Sequence, residues 1–113
     1  MHTVVETQPF ARRADDLLTE DERTEIARTI SDNPKAGAVM RGTGGVRKLR
    51  IALQGRGKRG GARVIYYYYN ETVPVFLLAM FAKNEKDNLT KAERNTLKGL
   101  AGTLIDAYQD RKP

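Results

Sequence analysis

Gly42-Thr43-Gly44-Gly45-Val46-Arg47-Lys48-Leu49-Arg50-Ile51, followed by Gly55-Arg56-Gly57-Lys58-Arg59-Gly60-Gly61-Ala62-Arg63, sets the reading of this chain. From Val46 to Leu53 the side chains alternate with a period of two, which is a strand: Leu49, Ile51 and Leu53 point one way, Lys48, Arg50 and Ala52 the other. Gln54 to Gly61 reads as a glycine-rich hairpin loop with its basic residues in solvent. Ala62 to Asn70 is the returning strand, with Arg63, Ile65, Tyr67 and Tyr69 alternating against Val64, Tyr66 and Tyr68. A third strand, Val75 to Lys83, is apolar on both faces until its end, so it is central and covered on at least one side.

Working outward, Thr3 to Thr7 is short and β-branched and reads as a first strand. Phe10 to Leu18 fits a short helix. Thr19 stands three residues before Glu22, the capping-box spacing, and opens a second helix with Ile26, Ala27 and Ile30 inward. That helix ends at Ser31-Asp32-Asn33-Pro34, because the residue before a proline is pushed out of the α region. Lys35 to Gly45 reads as loop. Thr90 and Glu93 repeat the capping spacing and start a last helix with Leu97, Leu100, Ala101, Leu104, Ile105 and Tyr108 on one stripe. The order β-α-α-β-β-β-α predicts an α+β fold: an antiparallel sheet with helices packed on one face, as a single domain over residues 1–113.

Charge is concentrated in the middle of the chain. Between Asn33 and Asn70 there is no Asp or Glu, while Lys35, Arg41, Arg47, Lys48, Arg50, Arg56, Lys58, Arg59 and Arg63 make the window +9. The whole chain is +6, so the remainder is −3. With a pI of about 9.8, that points to a polyanion, nucleic acid before membrane, since the basic cluster lacks a helical pattern. There is no Cys, and the single His is His2, which removes thiolate chemistry, disulfides and an internal His as acid or base. No metal site or cofactor is expected. No apolar run approaches the roughly 20 residues of a membrane span, and Met1 to Phe10 lack a signal-peptide pattern, so a cytoplasmic protein is expected.

Lys48, Arg50 and Arg63 face the same way if the hairpin register is regular, with Lys83 at the same end of the sheet. A phosphodiester there meets two or three cations, and arginine binds its oxygens in a bidentate way. Internal RNA cleavage needs a base for the ribose 2′-OH, charge stabilisation on the phosphorane and an acid for the 5′-oxygen. Here those roles fall to Lys, Arg, Tyr or a carboxylate. A lysine among arginines gives up its proton more easily, which opens a base role to it. A merely solvated polar face would also carry Lys and Arg, but such faces usually mix both signs. Tyr66 and Tyr68 are expected under the helices, and Tyr67 and Tyr69 on the cationic face, where a base could stack on them. The glycines at 42, 44 and 45 have no strand before and no helix after them, a weak nucleotide-binding signal.

The Gly42–Arg50 segment, the run Gly57-Lys58-Arg59-Gly60-Gly61-Ala62-Arg63-Val64-Ile65-Tyr66-Tyr67 and Ala82-Lys83-Asn84-Glu85 together resemble the HigB-type branch of the RelE/ParE toxin superfamily. The resemblance covers nearly the whole chain. It implies a bacterial type II toxin that cuts messenger RNA in the ribosome, leaving a 2′,3′-cyclic phosphate and a 5′-OH, and that is neutralised by a helix-turn-helix, HigA-like antitoxin. Operator DNA would be met only through the antitoxin complex. Lys48 and Arg50 match the family's basic pair, and Arg63 its strand-opening arginine. Asn84 falls where such toxins often place a catalytic arginine; either Lys83 supplies that cation or the acid step is arranged differently. No tyrosine follows Asn84 before Tyr108. Lys48, Arg50, Arg63 and Lys83 are thus the expected catalytic set, and Arg47, Arg56, Lys58, Arg59, Tyr67 and Asn84 the expected contacts to RNA and ribosome. A ParE-like gyrase inhibitor and a non-catalytic RNA-binding protein are the competing readings.

Overall fold

The computed structural model describes residues 2–53, 61–83 and 88–110. The elements are β1 (Val4–Glu6), α1 (Gln8–Leu17), α2 (Glu20–Asp32), β2 (Ala38–Val39), β3 (Val46–Ile51), β4 (Ala62–Tyr67), β5 (Val75–Ala82) and α3 (Lys91–Asp110). The strands form one sheet in the order β1-β5-β4-β3-β2. The α+β class and the order of the seven expected elements hold.

Both capping boxes are formed. The Thr19 hydroxyl accepts from the Glu22 N–H at 3.1 Å, and the Glu22 carboxylate accepts from the Thr19 N–H at 2.9 Å. Thr90 and Glu93 repeat the pair at 3.1 and 2.8 Å. Each box satisfies two amide groups that a helix start leaves without a partner.

Three expectations are corrected. The sheet is mixed rather than antiparallel, because β1 pairs in parallel with β5 (Val4↔Val75, Glu6↔Leu77). The stretch read as loop contains β2, which pairs Ala38 with Lys48 and Val39 with Arg47. Most consequentially, the helices do not share one face. Phe10, Ala14, Ile26 and Ile30 of α1 and α2 pack on Val64, Tyr66, Val75 and Leu77. Leu97, Ala101 and Ile105 of α3 pack on Val46, Ile65, Phe76, Leu78 and Phe81, on the other side of the sheet. The cause is the composition of β4 and β5: with apolar side chains on both faces, leaving either face in water would forfeit its hydrophobic stabilisation.

A bulge completes the arrangement. Ile65 pairs with Ala79 but Tyr66 pairs with Leu77, so Leu78 is an extra residue in β5. Before it the even-numbered residues of β5 face α3; after it the odd-numbered ones do. Phe81 is thereby aligned with Arg63.

Candidate functional site: a cationic cleft at one end of the sheet

Antiparallel pairing puts directly opposed residues on the same face. Arg50 is opposite Arg63, Lys48 is opposite Ile65, and Arg63 is flanked on its other side by Phe81. The expected common face of Lys48, Arg50 and Arg63 is therefore present. It is the face that α3 covers further along, over Val46 and Ile65, so only its far end is left open.

At that end lies a cleft of about 400 Å³ lined by Arg50, Arg63, Lys83, Gly61 and the Ile51–Leu53 segment. None of these residues is acidic. Arg50 and Lys83 are exposed, but Arg63 is only 3% exposed, buried between its neighbours on the two flanking strands. This departs from the expectation of a solvent-facing arginine. Its Nη1 donates to the Ala62 carbonyl at 3.3 Å. Burial fixes a guanidinium that a surface position would leave mobile.

Gly61 shapes the cleft through its backbone. Its φ is +69°, and a Cβ there would overlap the Ile51 carbonyl oxygen. The Lys83 N–H donates to the Gly61 carbonyl at 3.1 Å, which draws the end of β5 towards β4 and brings Lys83 beside Arg63. In the sequence Gly61 reads as the end of the glycine-rich hairpin loop, with no role in the site.

The remaining expected site residues divide. Lys48 is half-buried one pleat from Arg50 on the same face and does not line the cleft. Arg47 is on the opposite face, level with Tyr66, and its Nη1 donates to the Gly37 carbonyl at 2.7 Å and the Lys35 carbonyl at 3.4 Å. It holds the loop before β2, an occupation that the expected RNA contact did not foresee. Tyr67 is at the other end of β4 from Arg63, half-buried against the α3 core, with its ring 6.3 Å from that of Tyr69. Burial raises the pKa of its hydroxyl, and Tyr69 adds to the effect. Tyr66 and Tyr68 lie under α1 and α2 as expected. Arg56, Lys58, Arg59 and Asn84 lie outside the described residues.

The glycine-rich turn is structural. Thr43 is buried, its hydroxyl donating to the Met40 carbonyl at 2.7 Å and accepting from the Val46 N–H at 3.0 Å, which closes the β2–β3 turn. Among the described residues no three His, Cys, Asp or Glu side chains gather as metal ligands, and no helix is long and apolar enough to cross a membrane.

Residues 2–111 match the family model described as the RelE toxin of the RelE/RelB toxin–antitoxin system. The chain belongs to the RelE toxin family. The fold agrees: an arginine-to-alanine double mutant of the E. coli toxin RelE in its free state superimposes with a TM-score of 0.54 at 15% identity, over 76% of this chain and 87% of that one. The resemblance read from the three segments is thus borne out at the level of the superfamily. This RelE-family protein is a toxin of a toxin–antitoxin system, a class that acts with an antitoxin partner.

Proposed function

We propose that this toxin is a ribosome-dependent endoribonuclease of the HigB type that cleaves messenger RNA without a metal ion. The observation that carries the reading is the convergence of Arg50, Arg63 and Lys83 on one cleft with no acidic residue among the described residues of its lining, and Lys48 one pleat away.

The roles divide by chemistry. Arginine keeps its proton in proteins, so Arg50 and Arg63 serve as fixed positive charge on the non-bridging oxygens, where negative charge grows in the phosphorane. Lysine exchanges its proton, so Lys48 and Lys83 are the proton carriers. One takes the proton of the 2′-OH as the 2′-oxygen bonds to phosphorus. The other protonates the 5′-oxygen as the phosphorus–oxygen bond breaks. The products are a 2′,3′-cyclic phosphate and a 5′-OH. The partner that silences the toxin is a HigA-like helix-turn-helix antitoxin in direct contact with it, in the bacterial cytoplasm.

The test is a reconstituted reaction with purified toxin and ribosomes programmed with a defined message. Cleavage within the message, a 2′,3′-cyclic phosphate on the upstream fragment and loss of cutting in Arg50→Gln are expected. An intact message in that reaction, together with stalled gyrase in cells that express the toxin, would replace this reading with the gyrase inhibitor. An intact message with the toxin still bound to ribosomes would leave a non-catalytic RNA-binding protein.

A further inference from the structure

A second group of cations gathers away from the cleft. Arg41 belongs to the turn between β2 and β3, and Lys91, Arg94 and Lys98 belong to α3. Positions 91, 94 and 98 follow the i, i+3, i+7 spacing, so they form one stripe along the helix. The fold sets that stripe against the turn: Arg94 Nη1 donates to the Arg41 carbonyl at 3.3 Å, and the stem of Lys98 runs beside Gly44. A cavity of about 460 Å³ opens there, lined by Arg41, Gly42, Leu89, Lys91, Arg94 and Asn95. Among the described residues no carboxylate lines it, and none of the four cations is in an ion pair. The Nε of Arg94 is buried with no acceptor among the described residues.

Beyond the Arg94–Arg41 hydrogen bond, the start of α3 gains nothing from this placement. Lys91 is the first residue of α3 and Arg94 the fourth, where the positive end of the helix dipole disfavours cations. The contrast within the molecule is α2, whose first turn carries Glu20, Asp21 and Glu22, against the single acid Glu93 in that of α3. A local conflict with helix electrostatics, beside a cavity whose polar side chains include three cations and one amide, is the mark of a site kept for an anion.

We propose that the Arg41–Lys91–Arg94 pocket binds a phosphate of a polynucleotide backbone, at a subsite separate from the cleft, and that it holds the RNA away from the bond being cut. The substrate class rests on the nuclease reading above. Along β3 the turn and Arg50 are at opposite ends, about 13 Å apart for four residues. One phosphate cannot reach both subsites, whereas a single strand can.

The test uses the intact toxin and a 2′-O-methyl RNA oligonucleotide, which cannot be cut, with affinity measured across a salt series. Each phosphate neutralised on a single strand contributes a slope of about −0.7 in log K against log salt. Lys91→Gln with Arg94→Gln should make the slope shallower by about 0.7, the contribution of one phosphate, and weaken binding at low salt about tenfold or more. Arg12→Gln, an exposed cation on α1, should change neither. Thermal melting should show both variants folded, with the α3 double variant close to the parent, since relief of positive charge at the helix start offsets the lost Arg94–Arg41 hydrogen bond. A slope equal to that of the unaltered toxin would overturn the proposal. So would binding of a polyglutamate peptide that is as tight and as dependent on Lys91 and Arg94, because the site would then serve an acidic protein segment. If the toxin cuts no message yet the slope change is seen, the phosphate subsite stands and the nuclease reading alone falls.

Discussion

Arg50 on β3 and Arg63 on β4 stand directly opposite each other in the antiparallel ladder, two guanidinium side chains on one face of the sheet. Like charges so placed oppose folding, and opposite or neutral pairs are the usual choice at such positions. The pairing is costly to the sheet and suited to a phosphodiester, which needs positive charge from two directions. Fold and proposed function therefore pull against each other at this pair.

Arg50→Thr should separate the two effects. Removing the exposed partner of the pair is expected to stabilise the fold by about 0.2–1 kcal/mol while abolishing growth arrest. Chemical denaturation and an induction assay read these separately. A variant that melts earlier than the parent would mean that the opposed charges are not in conflict.

Arg63 calls for a conservative replacement, because its side chain is buried and truncation would leave a void. Arg63→Lys keeps the charge and loses the planar fork. We expect single-turnover cleavage on programmed ribosomes to fall about 10²–10³-fold, the usual effect of losing one oriented donor to a developing oxyanion. Cleavage within twofold of the parent rate would remove Arg63 from the chemistry.

Gly61→Ala tests the shape of the cleft. The new Cβ would overlap the Ile51 carbonyl in a left-handed conformation, so strands β3 and β4 must part at that end. The expected cost is about 2–4 kcal/mol, seen as a lower denaturation midpoint. An unchanged midpoint would show that the hairpin reaches this conformation without needing glycine.

Tyr66 ties the loop before β2 to the core. Its hydroxyl donates to the Pro34 carbonyl at 2.7 Å and accepts from the Gly37 N–H at 2.8 Å. Burial raises its pKa above the ordinary 10.0, with the Gly37 N–H and Arg47 opposing. A raised folded-state pKa means that the contribution is complete below pH 10 and is lost as pH rises from there through the folded value. Tyr66→Phe should cost about 1–3 kcal/mol at neutral pH, since both backbone partners stay buried, and should flatten the alkaline loss of stability. A slope above pH 10 identical to the parent's would assign that loss to another group.

Thr43→Val asks whether the glycine-rich turn depends on its one hydroxyl. The substitution keeps the shape but strands the Met40 carbonyl and the Val46 N–H. A loss of about 1–3 kcal/mol is expected in thermal or denaturant unfolding. A neutral outcome would place the turn's stability in its three positive-φ glycines instead.

Local signals in the sequence were legible wherever the physics is local. The two capping boxes depend on residues three apart, and the face shared by Lys48, Arg50 and Arg63 follows from a period of two and a regular hairpin. The burial of Tyr66 and Tyr68 under the helices follows from the same alternation. Gly61 was harder to read, because its requirement comes from the carbonyl of a residue on the neighbouring strand.

By itself, the sequence determined the element order, the strand faces and the concentration of positive charge, since each is written in neighbouring residues. Only the tertiary structure decided that α3 covers the cationic face, because a strand apolar on both sides does not say which helix takes which side. The extra residue at Leu78 was likewise invisible to any repeat, yet it turns Phe81 towards the face of Arg63. The burial of Arg63 and the meeting of Arg41 with Arg94 belong to the same class. Each depends on how separate elements stack, and a linear pattern carries no information about stacking until the chain has folded.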